Sequence, residues 1–247
     1  MSDLAIIGGT GLTRLSGLEI TRREVVHTPY GEPSGPVTHG RLLGHAVAFI
    51  PRHGSTHNIP PHRVNYRANL WALRHIGLTH VVAVAAVGGV TPAMEPCRVA
   101  IPDQVIDYTW ARAHTFFEED LEHVTHIDFT EPYCAELRAR LIQAGASAGL
   151  DVIDKATYGA TQGPRLESAA EIDRLERDGC DVVGMTGMPE AALARELGLC
   201  YASCAVVANW APGRGDGTVI TMDEISANLV SGMEKVKRLL EALVTSR

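Results

Sequence analysis

The chain has 247 residues, 45% of them hydrophobic and only 5% aromatic, with a formal net charge of −7. That length and apolar content suit one large aliphatic core, so a single α/β domain is expected; the acidic balance excludes a strong nucleic-acid surface, which needs clustered Lys and Arg to displace counterions. The opening MSDLAIIGGTG has no basic region and no long apolar run, so neither export nor a membrane span is expected, and the cytoplasm is the expected compartment. Residues 4–7 are a short apolar run stopping at Gly8-Gly9-Thr10-Gly11, and residues 46–50 another stopping at Pro51-Arg52-His53-Gly54. Both read as buried strands that end in polar loops. Over 65–76, Tyr66, Leu70, Leu73 and Trp71 fall at near-helical spacing, and Gly77 ends the pattern as a C-cap would. Residues 80–87 are apolar throughout, as a strand covered on both faces should be, and stop at Gly88-Gly89. A helix over 135–149, a strand at 156–158, a Gly163-Pro164 loop and a helix from Ser168 follow. The last third gives a strand at 181–183, a helix over 189–197 with Pro189 in its first turn, a strand at 201–208 and a helix over 222–244. This alternation implies a mixed or parallel central sheet wrapped by helices, with ligands at the strand ends. The segment from Pro212 to Gly217 follows a strand and reads as a lid or as an idle surface loop.

Successive glycines let backbone N–H groups point into one concavity, and the Thr10 hydroxyl adds a donor, so the first loop can cradle an oxyanion or be a plain tight turn. Its spacing fits neither GxGxxG nor GxxxxGK[ST], which argues against NAD and ATP. Arg52 ends the second strand, where a guanidinium can fork onto two phosphate oxygens and His53 can supply a further donor. His53, His57 and His62 do not make a metal site, because Gly54, Pro60 and Pro61 prevent a continuous helix from presenting them on one face. No metal is expected, and His123 and His126 read as surface or packing residues. The five cysteines form an odd, unevenly spaced set without a CxxC pair, so reduced thiols and no structural disulfide are expected. Cys200 and Cys204 lie on an apolar strand, an inert setting for a thiol, and no GxSxG supports a serine nucleophile.

Five blocks in order carry a more specific signal. Gly8-Gly9-Thr10-Gly11-Leu12, Arg52-His53-Gly54, the run from Val64 to Leu73, Gly163-Pro164-Arg165 and Met185-Thr186-Gly187-Met188-Pro189-Glu190 together resemble the methylthioadenosine phosphorylase branch of the trimeric purine nucleoside phosphorylases, through nearly the whole chain. The resemblance implies a single domain with a central mixed sheet flanked by helices, assembled as a homotrimer. It implies inorganic phosphate as co-substrate, a purine nucleoside as substrate, and no metal or organic cofactor. By residue, it implies that Thr10, Arg52, His53 and Thr186 hold phosphate and that Met185 packs beneath the ribose. Where the family has a threonine on the central strand this chain has Ala85, leaving backbone N–H groups around Ala86 to substitute. His126 matches a histidine that similar enzymes lend across the subunit interface to the 5′ end of the neighbouring substrate.

Methylthioadenosine phosphorylases read adenine with an Asp-x-Asp pattern; here Asn209, Trp210 and Ala211 stand at that strand end. Similar enzymes acting on 6-oxopurines carry asparagine there, and glutamate at the place of Glu167, beside Leu166. A carboxylate accepts the N1–H of hypoxanthine but meets only a lone pair on adenine, so Asn209 and Glu167 point to a 6-oxopurine, with Asn209 at N7. Each has a plain alternative: Glu167 as a first-turn helix carboxylate and Asn209 as a strand-end turn residue. Met222 falls where methylthio enzymes carry an apolar residue, which suits a thioether. The resemblance is closest to methylthioinosine phosphorylases; an adenine-specific or broader 6-oxopurine phosphorylase, or a purine-binding protein without catalysis, remain the alternatives.

Overall fold

The apolar run expected as a central strand is β5 (His80–Gly89), and three strands pair with it in a computed structural model that describes residues 3–119, 121–216 and 220–246. β1 (Leu4–Gly8) runs parallel to its first half, from Leu4 opposite His80 to Ile7 opposite Ala83. β11 (Cys200–Trp210) runs parallel along its whole length, with a register shift between Val207 and Asn209. β10 (Val182–Gly184) pairs antiparallel with Gly88 and Gly89. Beyond β1 the sheet continues through β4 (His45–Pro51), β3 (Val37–Leu42) and β2 (Leu18–Glu24). Beyond β10 it continues through β9 (Thr157–Ala160) and β7 (Gln104–Asp107), and the short β6 (Val99–Ala100) and β8 (Val152–Ile153) extend the β11 side. The sheet is mixed, as expected.

Successive strand residues face opposite sides, and β5 shows this directly. Val81, Ala83, Ala85 and Val87 join one core, and Val82 and Val84 the other. The first core is covered by α1 (Tyr66–His75) and α4 (Gly187–Glu196), through Leu70, Leu73, Leu193 and Ala194. The second is covered by α2 (Ala135–Ser147) and α5 (Met222–Thr245), through Leu137, Leu141, Leu239 and Leu240. Each fully buried leucine contributes about 1.5–3 kcal/mol, so both faces of β5 must be apolar. α3 (Ala169–Arg177) buries Ile172 and Leu175 against a smaller cluster with Val183 and Ala211. Its start is fixed by a capping box, in which the Ser168 hydroxyl accepts from Glu171 N–H and the Glu171 carboxylate accepts from Ser168 N–H.

One expectation is corrected and one alternative is removed. Cys134 and Cys200 form a disulfide, although reduced thiols and no structural disulfide were expected. The reason is tertiary: Cys134 precedes α2, Cys200 opens β11, and the Cys134 N–H donates to Tyr201 O, which brings the two Cα atoms to 5.0 Å across a sequence separation of 66. No local spacing signals such a pair. Glu167 is not a first-turn helix carboxylate, because the Ser168 cap places it outside α3.

Candidate functional site

Gly8, Pro51 and Gly89 end β1, β4 and β5, and the loops that follow converge with those after β9, β10 and β11. They enclose a cavity of about 490 Å³ at the strand ends, where α/β sheets hold ligands. Gly9 is required by close approach: a Cβ there would stand 2.5 Å from Val84 O and 2.9 Å from Arg52 Nη1. Gly11 has φ +81°, the left-handed turn that lets the Thr10 loop double back toward α5.

Of the residues singled out in the sequence, Thr10, Arg52, His53, Ala86 and Thr186 line this cavity, as do Leu166, Glu167, Met185, Asn209, Ala211 and Met222. Trp210 and His126 do not line it in the single chain. Trp210 is half-buried beneath Gly215, and His126 is exposed. Pro212 is on the cavity wall, whereas Arg214 bonds Glu176 at 2.7 Å and Asp173 at 3.0 Å, tying this part of the suspected lid to α3. Gly217, its last residue, lies outside the described residues.

The polar end is built around Arg52, whose side chain is 1% exposed. Nε and Nη2 donate to Glu190 Oε2 and Oε1 at 2.7 and 2.8 Å, and Nη1 donates to Val84 O at 2.8 Å. One N–H on each Nη remains for a ligand. Burial alone would push the guanidinium toward neutrality, but the Glu190 carboxylate outweighs it and raises the pKa. Tyr201 OH also donates to Glu190 Oε1 at 2.8 Å; burial pushes that phenol well above its ordinary range, so it keeps its proton. Thr186 is the N-cap of α4 yet makes no side-chain capping bond, so its hydroxyl is not tied to the helix.

His53 differs from a simple cationic donor. Burial, and then the Arg52 charge, lower its pKa to about 4, so the ring is neutral at pH 7. Its Nδ1 lies 2.8 Å from Ile59 O, and a carbonyl only accepts, so Nδ1 carries the proton and Nε2 presents a lone pair. Thr10 Oγ1 is 3.0 Å from Nε2 of His57, which stands at φ +54° on the cavity wall.

Glu167 and Asn209 also line the cavity. Thr161 Oγ1 donates to Glu167 Oε1 at 2.5 Å, fixing the carboxylate. Asn209 Nδ2 donates to Trp210 O at 2.6 Å, leaving its second amide hydrogen. Met222, Ile225 and Leu229 of α5 also line the cavity, with Met222 largely exposed.

Three residues escaped the sequence reading, and a fourth, His57, entered it only as a metal ligand that was set aside. Glu190 stands in the quoted Met185-to-Glu190 block, but its pairing with Arg52 across 138 residues leaves no local signal. Thr161 and His57 had none beyond their neighbours. Arg112 lies in an irregular segment, yet it is buried and donates to the carbonyls of Thr161, Gln162, Met185 and Met188 at 2.6–3.2 Å. It ties the loop after β9 to the loop after β10, and so holds Met185 against the cavity.

A doubly covered mixed sheet thus carries at its strand ends one cavity lined by a buried arginine, a carboxylate and an amide. The chain belongs to the Phosphorylase superfamily, whose family model matches residues 3–245. It is 54% identical over 246 residues to a probable S-methyl-5′-thioinosine phosphorylase of Pseudomonas syringae pv. tomato, covering 100% of both chains. It is 53% identical over 240 residues to the protein of the same description from Xanthomonas campestris pv. campestris, covering 97% of this chain and 96% of the relative. Among solved structures, methylthioadenosine phosphorylase from Schistosoma mansoni in complex with adenine superposes with a TM-score of 0.94 at 31% identity, covering 99% of this chain and 91% of that one.

Proposed function

We propose that the protein cleaves S-methyl-5′-thioinosine by phosphorolysis, releasing hypoxanthine and 5-methylthioribose 1-phosphate. The observation that carries this reading is one cavity lined by three chemically distinct groups: Thr10, Arg52, His53 and Thr186 for an anion, Glu167 and Asn209 for a 6-oxopurine, and Met222, Ile225 and Leu229 for a thioether. Phosphate binds the first of these, with the backbone near Ala86 completing its donors, and sits below C1′ of a ribose packed on Met185. As the N-glycosidic bond lengthens, the phosphate charge stabilises the oxocarbenium-like sugar and an oxygen of phosphate then bonds C1′. His53 Nε2 presents a lone pair to this end and accepts a hydrogen bond from the P–OH of a phosphate monoanion. Asn209 donates its remaining amide hydrogen to N7 as negative charge grows on the leaving base, while Glu167 accepts N1–H; Leu166 and Ala211 shape the base end. Inorganic phosphate is the second substrate, and the chemistry as written uses no metal or organic cofactor.

A homotrimer accompanies this reading, with His126 reaching the 5′ group of a neighbouring site. Its exposure, and its distance from the cavity lining of its own chain, support that assignment. Among the described residues no helix is long and apolar enough to cross a membrane; function in the cytoplasm is part of the proposal. The test is phosphorolysis of methylthioinosine, methylthioadenosine, inosine and adenosine, each with and without phosphate. Phosphate-dependent release of hypoxanthine from methylthioinosine at the highest kcat/KM is expected; preference for methylthioadenosine, or base binding without release, refutes it.

A further inference from the structure

The other end of the sheet carries a second cluster. His80 opens β5 and Cys200 opens β11, and the two residues are in register. α2 begins beside them. Cys134 immediately precedes it and bonds Cys200 through sulfur, and Glu136 in its first turn puts Oε1 3.8 Å from His80 Nε2. The ligand atoms of His80, Glu136 and Cys200 all lie within 4.8 Å of one another. Ligands about 2.0–2.3 Å from a tetrahedral zinc stand roughly 3.3–3.8 Å apart, so small side-chain rotations suffice to enclose an ion.

His80 is oriented for such a role. Its Nδ1 is 2.9 Å from Thr79 Oγ1 and 3.7 Å from Asp3 Oδ2, which leaves Nε2 toward Glu136. Asp3 is itself anchored, because its carbonyl accepts the N–H groups of Thr79 and His80. The Thr79 hydroxyl at Nδ1, with the Asp3 carboxylate just beyond it, fixes the ring in direction as the outer partners of metal-binding histidines do. Two sulfurs, an imidazole and a carboxylate form a donor set suited to zinc.

We propose that reduction of the Cys134–Cys200 disulfide converts this cluster into a site for one Zn²⁺ ion, held by Cys134 Sγ, Cys200 Sγ, His80 Nε2 and a Glu136 oxygen. A dithiol reductant transfers two electrons and two protons to the disulfide, giving two thiols and its own cyclic disulfide. Zn²⁺ then replaces the two thiol protons, which leave to solvent. Disulfide and metal exclude one another, since the bonded sulfurs offer no thiolate. Each links β11 to α2, and the metal also draws in β5. The same joint is therefore held covalently under oxidising conditions and by coordination under reducing ones.

The experiment uses the full chain, either oxidised or reduced with a phosphine and desalted without oxygen, titrated with Co²⁺ and then Zn²⁺. The reduced chain is expected to bind one Co²⁺ with thiolate-to-cobalt charge-transfer absorption that Zn²⁺ abolishes, and the oxidised chain to show none. His80→Ala and Glu136→Gln should each weaken Zn²⁺ binding at least tenfold in the reduced chain, and Asp3→Asn about tenfold. Circular dichroism checks that each variant is folded. No charge-transfer band in the reduced wild-type chain, an equal band in the oxidised chain, or undiminished affinity in folded His80→Ala overturns the proposal.

Discussion

Replacing Glu190 with Gln tests whether the Arg52 pair is the frame of the anion end. The two side chains are each 1% exposed, and the carboxylate accepts both arms of the guanidinium fork as well as the Tyr201 hydroxyl. Gln keeps the size but turns an NH₂ toward a donor and leaves the Arg52 charge unbalanced. Removing one partner of a buried pair costs about 3–5 kcal/mol. At about 2–4 °C per kcal/mol for a chain of this size, Tm should fall by roughly 6–20 °C. Urea and thermal unfolding at pH 7 measure this. The double variant Arg52→Met, Glu190→Leu should lose less stability than Glu190→Gln alone, because it leaves no unpaired charge in the core. A loss under about 1 kcal/mol for Glu190→Gln, or a double variant worse than the single, would refute the reasoning.

His53 gives a pH dependence. Its folded pKa of about 4 lies below its ordinary 6.5, so the unfolded chain binds the proton first as pH falls. Its contribution is complete above pH 6.5 and declines toward pH 4, by about 2 kcal/mol between pH 7 and 5 at 1.36 kcal/mol per unit. Urea unfolding of His53→Gln should show a correspondingly shallower decline than wild type over that interval. Thr161→Val frees Glu167 by removing a hydrogen bond to a charged group of about 1.5–3 kcal/mol. KM for methylthioinosine should rise about tenfold or more while that for methylthioadenosine moves little, and equal changes would count against Glu167 as the reader of N1–H. Asn209→Asp should raise turnover of methylthioadenosine relative to methylthioinosine; an unchanged ratio separates Asn209 from base choice. Reducing the disulfide in chelator-treated buffer should cost about 4 kcal/mol, the loop-entropy value for its separation of 66 residues, read as a lower urea midpoint.

The helices and core strands were legible because their signals are local. Residues 80–87 are apolar at every position, and only a strand covered on both faces tolerates that. α5 was expected over 222–244 and spans Met222–Thr245, since its apolar stripe and the Thr221 cap are both near in sequence. β2 and β3 were not expected, because LEITRRE in β2 is mostly exposed and lacks a clean alternation. The candidate site was legible in part. The motif blocks placed Thr10, Arg52 and Thr186, the likeness to 6-oxopurine enzymes added Glu167 and Asn209, and all five line one cavity.

By itself the sequence determined the helices, the apolar core strands and the glycine-rich loops at their ends, because periodicity, glycine and capping act over a few residues. Tertiary structure alone decided how the polar groups are held. Arg52 meets Glu190 across 138 residues, Cys134 meets Cys200 across 66, and Arg112 reaches Met185 across 73. Such partners are chosen by how the sheet stacks its strand ends, and burial then makes each pairing obligatory: a guanidinium or carboxylate removed from water must find its complement wherever the fold brings one.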